Sequence, residues 1–75
     1  MVLRGRPSRL TAKERAALSL AATGLDVTEV AEVLNEAPHT VRGLLASAVR
    51  KLGARSKLEA VLIALRTGEI NEPSS

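Results

Sequence analysis

The sequence predicts an all-α fold, a compact domain of four helices, and three observations predict it. Apolar residues recur at helical spacing, above all Val41, Leu44, Leu45, Ala48, Val49 and Leu52, which fall at i, i+3, i+4, i+7, i+8 and i+11. Three of the four stretches open with a Ser, Thr or Asp followed three residues later by Glu, the mark of a helix start. Three close at a glycine, Gly24, Gly53 or Gly68, the residue that best accepts a left-handed helix stop. No pair of alternating stretches suggests strands.

Each element follows from its own residues. Met1 to Arg9 carries three bases, a Gly and a Pro without periodicity, and is expected to be a flexible basic arm or the stump of a linker. The first helix opens at the capping box Thr11-Ala12-Lys13-Glu14, buries Ala17, Leu18, Leu20 and Ala21, and stops at Gly24. The second opens at Asp26-Val27-Thr28-Glu29 and turns Val30, Ala31 and Leu34 inward; Asn35-Glu36-Ala37 is the turn. Pro38 suits the first position of the third helix, about 38–52, where its missing N–H costs nothing. The fourth follows Ser56-Lys57-Leu58-Glu59 and ends at Gly68. The domain is expected over 10–70, with Glu69 to Ser75 polar and frayed and 71–75 a disordered tail.

Composition narrows what such a domain can do. A chain of 75 residues is one small domain, and domains of this size bury only about 60% of the unfolded chain's surface. It has no Cys, hence no disulfide and no Cys-based zinc site, so tight helix packing, aided by dimerisation, is the remaining route to stability. The absence of Phe, Tyr and Trp removes the stacking platforms of single-strand and RNA readers. No apolar run approaches the roughly 20 residues of a membrane span, and the N-terminus shows no signal-peptide core. A cytoplasmic protein without membrane contact is expected.

The net charge of +3 is unevenly spread. Residues 1–15 hold five bases and one acid, and residues 16–36 hold four acids and no base. Residues 37–57 hold Arg42, Arg50, Lys51, Arg55 and Lys57 and no acid. This pattern suggests one basic and one acidic face; charges that merely solvate helix surfaces are the plainer reading. A cationic helix held at a fixed angle by an apolar one suits a DNA groove.

Other chemistry finds little support. His39 is the single histidine and has no Cys or second His to share a metal, so a surface position near phosphate is expected rather than a ligand role. Ser19, Ser47 and Ser56 lack a partner base at recognisable spacing, and the five glycines sit singly rather than in a phosphate loop. No catalytic residue, no metal site, no cofactor and no enzyme activity are expected.

Leu10-Thr11 with Glu14-Arg15, Gly24-Leu25, Glu29-Val30-Ala31-Glu32, Leu34, Thr40-Val41-Arg42, Leu45, Arg50-Lys51-Leu52-Gly53, Arg55-Ser56 and Glu59-Ala60-Val61 occur in this order and spacing. The pattern resembles the LuxR-type (GerE-like) helix-turn-helix domain of bacterial transcription regulators, over about residues 10 to 70. Thr40 through Ala60 is its specific part. The resemblance implies a four-helix domain in which the third helix reads DNA, the second touches the backbone and the fourth dimerises.

On that reading Arg42 aims into the major groove, to grip a guanine edge or a phosphate. Arg50, Lys51 and Arg55 touch the backbone, as do Thr28 and Thr40 as neutral donors; Thr40 is equally read as a local backbone partner. His39 and Ser47 join this DNA-facing set. Gly43 and Ala46 depart from the polar residues the resemblance leads one to expect. Either they allow close approach and contact with thymine methyls, or the reading face has degenerated. Leu58, Leu62 and Leu65 are the expected dimer seam on a fourth helix apolar almost all round, with a simple core role as the plainer reading.

The function expected is a sequence-specific regulator that binds double-stranded DNA as a homodimer, with RNA polymerase as a further possible partner. The alternative is a degenerate helix-turn-helix module that contacts the transcription machinery through protein alone. A sigma-factor-like module fits less well at Gly53-Ala54-Arg55-Ser56. The chain is expected to be either a stand-alone regulator or an output domain without its sensory partner.

Overall fold

The structure, a computed structural model, describes residues 10–71, so the expectations for the arm at 1–9 and for the tail at 72–75 lie outside the described residues. Four helices follow in order, α1 (Ala12–Ala22), α2 (Val27–Leu34), α3 (Pro38–Lys51) and α4 (Lys57–Thr67), with no strand among the described residues. The all-α expectation holds.

The first two capping boxes close as the sequence predicts. Thr11 Oγ1 accepts from the Glu14 N–H at 3.1 Å, and Glu14 Oε1 accepts from the Thr11 N–H at 2.8 Å. Asp26 and Glu29 repeat the exchange, both bonds at 2.9 Å. The third box does not close. Ser56 Oγ takes the Glu59 N–H at 3.1 Å, but Glu59 reaches past Ser56 to the Arg55 N–H at 2.6 Å. The N-cap φ is −153° at Ser56 against −69° at Thr11 and −84° at Asp26. That rotation turns the Ser56 N–H aside and offers the preceding one.

The core centres on α3, which packs against α1, α2 and α4, while α2 and α4 do not meet. Val41 and Ala48 are fully buried, with Leu45 and Leu52 nearly so, against Leu18 of α1 and Val30 of α2. Ala17, Ala48, Ala60 and Ala64 are wholly inaccessible to solvent. Small side chains at these contacts let helices approach closely, which is how a chain without aromatic residues fills its interior.

One expectation is corrected at the C-terminal end. Glu69 and Ile70 are not frayed: at φ +82° Gly68 reverses the chain, and the N–H groups of Glu69 and Ile70 both donate to the Ala64 carbonyl, at 2.8 and 3.3 Å. This is the usual left-handed helix stop, whose apolar partner here is Ile70, only 4% exposed. The run of polar residues around Ile70 concealed it.

Candidate nucleic-acid interface

Burial of Val41, Leu45, Ala48 and Leu52 orients α3 about its axis. His39, Arg42, Gly43, Ala46 and Arg50 consequently lie on its exposed side. Neither Arg42 nor Arg50 has an ion-pair partner among the described residues. A Cβ at Gly43 would meet nothing within 4 Å, so no internal contact requires glycine there. In a helix interior Gly costs roughly 1 kcal/mol relative to Ala.

The N-terminus of α3 differs from those of the other three helices. Each of those has a side-chain cap and an acid in its first turn. The third starts at Ala37 with no side-chain cap and no acid, so its first N–H groups and the positive end of its dipole are open to an anion. Thr40 is half-buried, with no side-chain hydrogen bond among the described residues, and Thr28 is exposed near the start of α2.

Ion pairs redistribute the charge pattern. Lys13 is paired to Glu36 at 2.7 Å, Arg15 to Glu69 at 3.9 Å and Lys51 to Glu14 at 2.9 Å. The bases nearest the start of α1 are thus partly neutralised, while the exposed guanidiniums of Arg42, Arg50 and Arg55 have no ion-pair partner among the described residues. Lys57 is likewise exposed at the α3–α4 exit.

Glu14 is the one charged residue buried among the described residues, at 5% exposure. Besides the Thr11 N–H, its carboxylate accepts from Ser47 Oγ at 2.5 Å and from Lys51 Nζ at 2.9 Å. Burial alone pushes the carboxyl up. The hydrogen bonds from Ser47, Lys51 and the Thr11 N–H, with the Lys51 charge, more than offset this and lower it from 4.5 to about 2. Ser47 and Lys51, expected in the DNA-facing set, therefore have an internal partner that the sequence did not reveal. No local signal marks it, because Glu14 lies 33 and 37 positions away from them.

On α4 the three leucines of the expected seam separate. Leu58 is 69% and Leu62 50% exposed, one turn apart, whereas Leu65 is half-buried and packs on the core. Val33 on α2, at 60%, is the remaining exposed large apolar residue among the described ones. No group of three His, Cys, Asp or Glu residues among the described ones is placed to hold a metal ion, and no described helix is long and apolar enough to cross a membrane.

A fold with α2 and α3 joined by a short turn, and with a cationic outer face on α3, is that of a helix-turn-helix domain. The sequence pattern of the family described as bacterial regulatory proteins, luxR family (GerE), matches residues 8–64. The chain is 39% identical to the response regulator RamR of Streptomyces coelicolor over 67 residues, which cover 89% of this chain and 33% of that protein. It is 41% identical to the transcriptional activator protein BjaR1 of Bradyrhizobium diazoefficiens over 64 residues, 85% of this chain and 26% of that one. The solved structure of the transcription factor GerE superposes with a TM-score of 0.82 at 29% identity, covering 87% of this chain and 97% of that one. The chain belongs to the LuxR family of bacterial regulatory proteins, as a helix-turn-helix DNA-binding domain of the transcription-regulator type. It spans only about a quarter to a third of the two full-length relatives.

Proposed function

We propose that this domain reads double-stranded DNA in a sequence-specific manner, with α3 in the major groove, and acts as a homodimer through α4. The observation that carries the reading is the outer face of α3, where Arg42 and Arg50, without an ion pair among the described residues, flank a low floor of Gly43 and Ala46 beside an acid-free, uncapped helix start. Arg42 supplies base discrimination. Gly43 and Ala46 admit the helix close to the base edges and meet thymine methyls. His39, Thr40 and the open N–H groups lie toward one strand's phosphates, with Thr28 as a further neutral donor, and Arg50 and Arg55 neutralise phosphate at the other end. Leu58 and Leu62 form the centre of the seam, with Leu65 at its edge supporting the monomer core.

Binding-site selection from random duplexes tests this. The expected product is an imperfect palindrome with half-sites about one helical turn apart, roughly 34–36 Å. Recovery of no preferred sequence, or binding indifferent to salt, overturns it. Exposed Val33 favours the second reading, contact with the transcription machinery through protein alone; salt-dependent duplex binding separates the two. A domain that reads the chromosome works in the bacterial cytoplasm, at the nucleoid.

A further inference from the structure

We propose that Glu14 is the positioning residue of the DNA-reading helix: its carboxylate, rooted in the first turn of α1, clamps Ser47 and Lys51, locks the orientation that the apolar stripe of α3 selects and keeps the Lys51 charge from the phosphates. This rests on the reading of α3 as the element that meets DNA.

The argument starts from how the carboxylate is held. The reciprocal bonds between Thr11 and Glu14, at 2.8 and 3.1 Å, fix the side chain to the start of α1 through contacts that do not involve α3. Its other two partners, Ser47 and Lys51, are one turn apart on a single edge of α3. A slip of α3 by one residue is a rotation of about 100°. It would bring Ala46 or Ala48 to the carboxylate in place of Ser47, and neither side chain can donate. The carboxylate would keep the Thr11 N–H but lose the Ser47 hydroxyl, and a buried carboxylate short of a donor is penalised more than a shifted methyl contact.

The apolar stripe of α3 selects its outward face against Leu18 and Val30. Its other partners are small, Ala17 on α1 and Ala60 and Ala64 on α4, and add little shape against a rotation about that orientation. The polar clamp supplies the directional contact. It holds His39, Arg42, Ala46 and Arg50 outward, and through the 2.9 Å contact it neutralises Lys51 within the domain. Counterion release on DNA should then count Arg50 and Arg55 but not Lys51.

The test uses the full chain in salt titrations on the selected duplex and on a scrambled duplex of equal length. Wild type is compared with Glu14→Gln and with Glu14→Gln/Lys51→Met, each checked by circular dichroism for helicity at the assay temperature. The single amide oxygen of Gln can keep the Thr11 N–H of the capping box, its NH2 then donates to Ser47 Oγ instead of accepting from it, and the charge that holds Lys51 is gone. Glu14→Gln is expected to steepen the slope of log K against log salt by about one unit on both duplexes, and to lower the selected-to-scrambled affinity ratio several-fold. The double variant should return the slope to the wild-type value while the ratio stays low, a pattern that simple loss of stability cannot produce. If Glu14→Gln is unfolded, Ser47→Ala takes its place: it leaves the ion pair intact and should lower the ratio without moving the slope. Folded variants with wild-type slope and ratio overturn the positioning role while leaving DNA reading standing. A wild-type chain that does not discriminate between the duplexes overturns the DNA reading, and this inference with it.

Discussion

Arg15 on α1 pairs at 3.9 Å with Glu69, just beyond α4, while its guanidinium also donates to the Leu10 carbonyl oxygen at 3.4 Å. One side chain thus ties the entry of the domain to its exit. The pair is partly exposed, and such pairs contribute only about 0–1 kcal/mol. Ile70, directly after it and nearly buried, carries the energy of this junction.

Ile70→Ala is accordingly expected to destabilise the domain by about 2–4 kcal/mol, the range for truncating a buried branched side chain. Arg15→Ala should cost less than about 1 kcal/mol. Urea denaturation followed by circular dichroism measures both. Equal losses would show that the ion pair closes the domain as strongly as the apolar contact does.

Arg42→Ala should remove about 1–3 kcal/mol of base discrimination without loss of stability, since Arg42 is exposed and Ala is at least as good a helix former. Arg50→Ala or Arg55→Ala should instead weaken binding to all duplexes alike and shrink the salt slope by about one unit each. Mobility-shift titrations on selected and scrambled duplexes distinguish the two behaviours. A change in preferred sequence on replacing Arg50 would move it from phosphate contact to base reading.

Leu62 is half exposed, so Leu62→Lys should fold normally. A lysine at the centre of the proposed seam should abolish cooperativity between half-sites while single half-site binding survives. Titration of one- and two-half-site duplexes reads this directly. Retained cooperativity would place the seam away from Leu58 and Leu62.

Glu14 makes stability depend on acid. Its folded carboxyl, at about 2, lies below the ordinary 4.5, so its contribution is complete above about pH 4.5 and is lost as pH falls toward 2. The partner Lys51 is partly exposed, and solvent screening on its side reduces that contribution to roughly 1–2 kcal/mol. The stability gap between wild type and Glu14→Gln should therefore shrink over this window, measured by urea midpoints at several pH values. A gap constant from pH 6 to about pH 2 would show that the carboxylate charge contributes nothing.

The helices and their ends were legible because their causes are local. Thr11 with Glu14, Asp26 with Glu29, Pro38 at the head of α3 and the periodic Val41-to-Leu52 stripe all act within a few residues. The outer face of α3 followed from that stripe, since a helix buried on one side must expose the other. The family was legible for the same reason: its residues are ordered along the chain and survive without knowledge of their contacts.

Local sequence determined where each helix begins and ends and which side chains α3 turns outward. Tertiary structure alone decided which charges remain available. Ser47 and Lys51 look no different from Ala46 and Arg50 as sequence, yet both turn to a carboxylate from α1, because only folding brings that carboxylate into reach. Ile70 likewise reads as part of a polar tail until Gly68 folds it beneath the domain. Capping and amphipathicity are interactions over three or four positions, whereas the pairing of charges depends on distances that exist only once the helices have packed.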